Sequence, residues 1–430
     1  MPDMENVDER FILGTEKNRK YLTDDLMELL RFGRKFASPE GSAYWLGDDG
    51  NPWPEKGKYT WITCRMTHVY SIGALLGIGG CRELAEAGIR GLTGELHDEK
   101  YGGWYTGIRG DGSVMPEKQC YTHAFVVLAA SSASLAGITG SRELLTEAEK
   151  VFDRYFYDEK TGLAVDTWDT QFTRPDPYRG LNVNMHTVEA FLAVADVTGD
   201  EKYRSRAGRI IEHVIKWAGA NNWRIPEHYR EDWTADLEYN RENPRDPFKP
   251  YGATPGHGIE WARLVTQWTL SDAFAKSDAV VKDYCLDSAE HLFARAVGDG
   301  WTADGAPGFV YTTDWNGKSV VHDRMHWTLA EAINTSSVLA RVTGREKYRR
   351  LYSEFLQYLE EDVRDHQYGS WFHQLDQNNR LIGTVWPGKS DLYHAVQSCL
   401  IPLMDPSRSI AVAVCESESK MAGSLYSKAV

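Results

Sequence analysis

Three six-residue stretches of the chain resemble one another: Ile138-Thr139-Gly140-Ser141-Arg142-Glu143, Val197-Thr198-Gly199-Asp200-Glu201-Lys202 and Val342-Thr343-Gly344-Arg345-Glu346-Lys347. Each separates two helical patterns of different character. The pattern after the Thr-Gly pair is one-sided: Leu145, Ala148, Phe152 and Tyr155 in the first copy, Tyr203, Ala207, Ile210, Ile211, Val214 and Ala218 in the second, Tyr348, Leu351, Phe355 and Leu359 in the third. Steps of three and four put these residues on one helical face, which predicts outer helices resting on the body of the protein. The preceding stretches, 125–136, 188–197 and 332–342, are apolar or small nearly all round, as expected of inner helices packed on several sides. Glycine at each turn supplies the positive φ that ends the inner helix.

Working outward, the loops after the outer helices carry turn signals followed by short aromatic pieces: Asp98-Glu99-Lys100-Tyr101-Gly102-Gly103-Trp104, Asp158-Glu159-Lys160-Thr161-Gly162-Leu163 and Gln367-Tyr368-Gly369-Ser370-Trp371-Phe372. Asp314-Trp315-Asn316-Gly317-Lys318 and Asp376-Gln377-Asn378-Asn379 read as hairpin turns in loops of the same kind. The alternation runs from about residue 20 to about residue 405. A length of 430 residues would ordinarily suggest two or three domains. The repeat instead predicts one all-α domain over residues 1–405, a closed array of helical hairpins with small β-hairpins in its loops. Residues 226–255 form one oversized, Pro- and charge-rich loop, of the sort that serves as a lid or binding element. Residues 406–430 read as a C-terminal tail with a frayed end.

Composition narrows the function. Hydrophobic residues make up 42% and charged residues 26%, the balance of a globular protein with a large core. A net charge of −14, without a basic patch, opposes nucleic acid and anionic membrane surfaces. The aromatic share of 12%, with 15 Trp, suits a cleft walled by flat apolar faces with polar edges. The acidic first eleven residues lack the pattern of a signal peptide, and the expectation is a cytoplasmic protein. Six scattered cysteines (Cys64, Cys81, Cys120, Cys285, Cys399, Cys415) form no CxxC pair and read as reduced, mostly buried thiols. Gly77-Ile78-Gly79-Gly80 follows a helix and is a turn, not a nucleotide loop, and Asn334-Thr335-Ser336 falls inside a helix, so neither implies a cofactor or a glycan.

If inner helices line a barrel, residues near their starts converge on one rim. The predicted starts carry Arg65, then Tyr121 and His123, Asn182 and His186, His257 and Glu260, His326 and Glu331, and His394. Arg65, His123, His186, His257, His326 and His394 follow one another at steps of 58, 63, 71, 69 and 68 residues. His186 and Glu331 each lie 12 residues before the Thr of a Thr-Gly turn, so they take equivalent positions. One such histidine alone would be a helix cap or a core group. Five or six ionisable groups buried around one axis are costly unless they have work to do there. His257 and Glu260 at i and i+3 share a helix face, but no HExxH, Cys-His cluster or Asp-rich loop accompanies them, so no metal is expected.

Four segments, Trp61-Ile62-Thr63-Cys64-Arg65-Met66, residues 182–190, residues 251–264 and Trp386-Pro387-Gly388-Lys389-Ser390-Asp391-Leu392-Tyr393-His394, resemble the N-acylglucosamine 2-epimerase superfamily, and within it the aldose–ketose isomerase branch that includes mannose and sulfoquinovose isomerases. The resemblance covers roughly residues 15–405. It implies an (α/α)6 barrel, a metal- and cofactor-independent enzyme, a small monosaccharide as substrate, and interconversion of aldose and ketose through a cis-enediol. By motif the two catalytic histidines of the family fall on His257 and His394. The resemblance implies that His394 moves the proton between C2 and C1, while His257, oriented by Glu260, assists ring opening or acts from the other face. Histidine suits this task because its ordinary pKa lies near neutrality. Arg65 would hold charge developing on O1 and O2. Tyr121, Asn182, His186 and Glu331 would hold hydroxyls, with Trp61, Trp327 and Trp386 as walls. Where sulfosugar-handling relatives lead one to expect Arg and Gln, Pro247 and His373 stand here, which favours a neutral hexose such as mannose, unless Arg245 or Lys249 substitutes. The alternatives are a sulfoquinovose isomerase, a 2-epimerase of N-acetylglucosamine or cellobiose, an inverting glycoside hydrolase using Glu260 and Glu331, and a non-catalytic sugar-binding protein.

Overall fold

The computed structural model describes residues 7–271 and 279–421. The first six residues of the acidic N-terminus and residues 422–430 of the predicted tail lie outside them. Among the described residues the helices are α1 (Glu16–Phe32), α2 (Thr60–Leu75), α3 (Cys81–Thr93), α4 (Cys120–Leu135), α5 (Ser141–Tyr155), α6 (Leu181–Thr198), α7 (Glu201–Ala220), α8 (Pro255–Leu270), α9 (Ala279–Gly300), α10 (His326–Thr343), α11 (Glu346–Tyr358), α12 (Tyr393–Leu400) and α13 (Ile410–Met421). The even-numbered six form an inner ring and α1 to α11, odd-numbered, an outer one, giving the expected (α/α)6 barrel. Burial follows the two sequence patterns. Every residue of α2 from Thr60 to Gly73 and of α6 from Val183 to Ala195 is buried, whereas α5 buries only Ser141, Leu144, Leu145, Ala148 and Phe152. The rings pack closely: a Cβ added to Gly208 on α7 would lie 2.3 Å from the Trp268 ring on α8.

The ring closes in an economical way. Inner helix α12 packs beside α10 and α2, and its outer partner is α1, from the start of the chain. Asp25 of α1 accepts hydrogen bonds from the Trp371 indole at 3.1 Å and from the Cys399 thiol of α12 at 3.6 Å.

The Thr-Gly turns fall into two classes. Gly199 (φ 74°) and Gly344 (φ 69°) end α6 and α10 as expected, donating to the carbonyls of Ala195 and Ala340. Gly140 (φ 78°) does not: α4 has already ended at Leu135, Gly137 (φ 66°) makes the turn, and Gly140 stands just before α5. Gly77 and Gly80 repeat that arrangement after α2.

The loops carry the predicted small hairpins, with His97 paired to Trp104, Tyr157–Asp158 to Leu163–Ala164, and Arg364 to Trp371. Two of them are held by a repeated buried ion pair, Lys118 to Asp98 at 2.8 Å and Lys389 to Asp365 at 2.5 Å, with both lysines fully buried. Losing one partner would strand a charge, so these pairs fix the loops in place. Larger than the sequence suggests is a four-stranded antiparallel sheet of β1 (Tyr44–Leu46), β2 (Pro52–Tyr59), β3 (Gly107–Ile108) and β4 (Val114–Met115), whose second strand runs straight into α2.

The tail needs correcting. Residues 410–421 are helical, and Ala411, Val412, Ala413 and Val414 are buried where α13 lies against α2, α4 and α6. Its first turn is enclosed all round, and the helix covers the barrel end opposite the inner-helix starts. No helix among the described residues is long and apolar enough to cross a membrane. None of the six cysteines is disulfide-bonded; five are buried, and Cys415 is half-buried.

Candidate active site

A cavity of about 650 Å³ opens where the inner helices begin. Each contributes from its first two turns: Trp61 and Arg65 on α2, Tyr121 on α4, Asn182 and His186 on α6, His257 and Glu260 on α8, His326 and Trp327 on α10, His394 on α12. Loops add Pro247, Phe248, Tyr311, His373, Trp386, Ser390 and Asp391. Two predicted rim residues are not in this lining. His123 receives the Trp104 amide on Nε2 at 3.1 Å and faces the Gln119 carbonyl with Nδ1 at 2.7 Å, so it holds a loop. Tyr121 faces the cavity in its stead, because two residues along a helix turn a side chain to nearly the opposite face. Glu331 shares the helical register of His186, as predicted, but is fully buried beneath His394.

Each of the two histidines singled out by motif is backed by a carboxylate. His394 Nδ1 lies 3.2 Å from Glu331 Oε1, and Glu331 Oε2 accepts from Arg263 Nε at 2.7 Å. His257 Nδ1 lies 2.9 Å from Glu227 Oε2. Glu227 was not anticipated, and it replaces Glu260 as the group that orients His257. Among the described residues the Glu260 carboxyl, 1% exposed, has no hydrogen-bond partner on either oxygen, and the cation nearest to it is Arg263 Nη2 at 3.5 Å. Burial, with Glu331 beside it, pushes Glu260 well above the usual carboxylate range, so it stands as a neutral acid lining the cavity. Burial, reinforced by Arg65 and His326, holds His394 well below the usual histidine range, so its imidazole is neutral. A carboxylate at Nδ1 keeps the hydrogen on that nitrogen and leaves Nε2 as the basic one.

Arg65 is fixed on several sides. Its guanidinium donates to Asp391 at 3.2 Å and to the Tyr121 hydroxyl at 2.9 Å, and it lies 4.6 to 4.9 Å from the Phe125, Tyr393 and Trp61 rings. Asp391 was also missed by sequence reasoning, although it stands three residues before His394 in a quoted motif. Trp61 and Trp386 meet edge to face at 6.0 Å, and Phe248 from the long loop closes on Trp386 at 5.3 Å. Trp327 lies 5.2 Å from the His257 ring and 5.9 Å from the His394 ring, against both imidazoles. His326 and His373 stack face to face at 3.8 Å. The two cations considered as sulfonate partners are engaged elsewhere: Arg245 pairs with Asp323 at 2.9 Å, and Lys249 lies 3.7 Å from the Tyr178 ring centre. Among the described lining residues Arg65 is the only Arg or Lys.

His186, Glu189 and Glu260 offer one ligand atom each within 4.8 Å of one another. Glu189, however, already receives Tyr393 and Gln397, and Arg263 brings its own positive charge to 3.9 Å from Glu189 and 3.5 Å from Glu260. A cation entering there would meet a guanidinium in a buried setting, which weakens any such site.

The profile of the N-acylglucosamine 2-epimerase family matches residues 41–398. The chain belongs to that family. A D-mannose isomerase of Thermobifida fusca is 41% identical over 403 residues, covering 92% of this chain and 97% of that protein. A D-mannose isomerase of Pseudomonas cannabina pv. alisalensis is 44% identical over 356 residues, 83% of this chain and 85% of that protein. A crystal structure of D-mannose isomerase superposes with a TM-score of 0.82 at 26% identity, covering 89% of this chain and 97% of that one. In this member of the N-acylglucosamine 2-epimerase family, the four segments quoted from the sequence supply seven of the ten inner-helix residues that line the cavity, all but Tyr121, His326 and Trp327, together with Trp386, Ser390 and Asp391 from the loops.

Proposed function

We propose that this protein is an aldose–ketose isomerase that converts D-mannose and D-fructose into one another without a metal ion. The observation that carries the reading is the pair of carboxylate-backed imidazoles, His394 with Glu331 and His257 with Glu227, facing one cavity that also holds Arg65. Moving a hydrogen from C2 to C1 of the open-chain sugar needs a base that takes a proton and returns it one carbon away. Neutral His394 has its Nε2 free for that step, and Glu331 steadies the imidazolium formed midway. The negative charge that builds on O1 and O2 of the enediol falls to Arg65, held rigid by Asp391 and Tyr121. His257 and neutral Glu260 serve the ring-opening proton transfers, and Asn182, His186 and Tyr121 receive hydroxyls. Pro247 and His373 in the lining, with Arg245 and Lys249 tied elsewhere, support an uncharged hexose.

The test is product formation from mannose, glucose, N-acetylglucosamine, cellobiose and sulfoquinovose, followed by NMR with EDTA present. Fructose from mannose is expected. An aldose product would establish 2-epimerisation instead, and activity lost to the chelator would refute metal independence.

A further inference from the structure

We infer that Arg263 is a positioning residue for His394, acting through Glu331 from beneath the floor of the sugar cavity. The inference rests on the reading that His394 is the base. Arg263 lies one turn beyond Glu260 on α8, is 4% exposed, and does not line the sugar cavity. It lines a second cavity, of about 640 Å³, at the opposite end of the barrel, together with His68, Glu189 and Gln397. Its influence on a sugar therefore passes through the groups it touches. Nε donates to Glu331 Oε2 at 2.7 Å, and the other Glu331 oxygen faces His394 Nδ1 at 3.2 Å. Nη2 lies 3.5 Å from Glu260 and 3.9 Å from Glu189, without making a hydrogen bond.

Three buried carboxylates, one from each of α6, α8 and α10, thus surround a single guanidinium. In so dry a place one cation does not support three anions, and protons must be distributed among them. Glu189 is secured as an anion by the Tyr393 hydroxyl, Gln397 and His186. Of the remaining two, Arg263 gives its well-aligned donor to Glu331 and none to Glu260. That choice makes Glu331 the anion and Glu260 the acid. Ionised Glu331 can only accept, so it holds the His394 hydrogen on Nδ1 and keeps the Nε2 lone pair for the substrate. Without the guanidinium, Glu331 takes up a proton, becomes able to donate to Nδ1, and allows the tautomer in which Nε2 carries hydrogen and is no base.

The experiment uses full-length protein labelled with 15N-histidine, as wild type and as Arg263→Gln, Arg263→Lys and Glu331→Gln. The ring-nitrogen shifts of His394, assigned by comparison with His394→Asn, are expected to report hydrogen on Nδ1 in the wild type and a shift toward hydrogen on Nε2 in Arg263→Gln. The turnover of mannose should fall roughly 10- to 100-fold in Arg263→Gln with KM changed less than about twofold. Arg263→Lys should recover part of it, and the double variant Arg263→Gln/Glu331→Gln should be no worse than Glu331→Gln alone. An unchanged His394 tautomer in folded Arg263→Gln, or penalties that multiply in the double variant, overturns the inference. Should neither Arg263 variant fold, the wild type alone decides, since hydrogen found on Nε2 of its His394 overturns the inference. A wild type that makes no ketose defeats the functional reading instead, and the nitrogen shifts still decide what Arg263 does to His394.

Discussion

Glu227 and His257 are thirty residues apart in the chain, and a carboxylate oxygen of the first lies 2.9 Å from Nδ1 of the second. The other Glu227 oxygen accepts the Thr254 amide at 3.3 Å, and its main-chain carbonyl receives the Leu181 amide at 3.1 Å. One residue at the head of the long loop therefore ties together the starts of α6 and α8 and sets the face that His257 shows to the cavity. Glu227→Gln keeps the size and removes the charge. The expected outcome is a kcat on mannose lower by roughly 10- to 100-fold, with the circular dichroism spectrum unchanged. Steady-state kinetics check it, and turnover at the wild-type level would return the orienting role to another group.

Arg65 offers a different test, because its two ends serve different partners. Lysine keeps the charge but cannot reach Asp391, the Tyr121 hydroxyl and two sugar oxygens at once. Arg65→Lys should lower kcat by roughly 100-fold, in line with the loss of a donor aimed at developing charge. Equal turnover by the two proteins would mean that charge alone suffices.

The seclusion of His394, which is 4% exposed, bears on where its proton goes. A base screened from water returns much of what it takes before exchange occurs. Mannose turned over in D2O should give fructose with less than one deuterium at C1 per turnover, measured by NMR at low conversion. Complete deuteration from the first turnover would place bulk water within reach of the base. His394→Asn should lower turnover by about 10²- to 10⁴-fold.

Stability should depend on pH above the range where most carboxylates titrate. Burial pushes His68 and His326 down to about 4, His123 to about 3, and His373 and His394 well below the usual value. In the unfolded chain each takes up a proton near pH 6.5. Below that pH the unfolded state binds more protons than the folded one, so this stability is fully present above pH 6.5 and is lost as pH falls toward 4. Burial lowers His186 and His228 as well, while it raises Asp25 to about 6, Glu260 well above 4.5, and Asp48, Asp166, Glu331 and Asp362; these six carboxyls act in the opposite sense and are outnumbered by the seven histidines. Each histidine steepens the loss by at most about 1.4 kcal/mol per pH unit. Urea midpoints at pH 7, 6 and 5 should decline in that order, and a midpoint constant across them would contradict the depressed histidines.

The helices were legible because the two kinds of burial leave different traces. A helix wetted on one side repeats every three to four residues, and one enclosed all round does not, so Tyr203 to Ala218 and residues 188–197 could be told apart. The cavity residues were legible to the extent that they ride on those helices at a common height. Glu227 and Asp391 come from irregular backbone, where nothing in the local pattern says which way a side chain points. Glu260 illustrates the same limit on a helix. Being one turn from His257 places the two on one face, yet the carboxyl turns toward Arg263 and leaves His257 to Glu227. His123 was misread because its marker spacing fixes a height along the barrel but not an angle around the helix. The helix over residues 410–421 escapes the tail reading because its buried apolar run, Ala411 to Val414, is a single turn long and shows no helical period.

Ring closure by α1 and α12 has a consequence for how this enzyme comes into being. The outer partner of the last inner helix is made first, and 326 residues separate Arg65 from the Asp391 that holds it. On the ribosome, α1 leaves the exit tunnel with no α12 to cover it, and its apolar face must wait until residues 393–400 have been made. Contacts so distant in the chain form late and expose the incomplete ring to aggregation in the meantime. A chain stalled before residue 390 would keep His257 at the cavity but lack both His394 and the Asp391 that holds Arg65, so on the proposed mechanism the short segment that seals the ring also completes the chemistry.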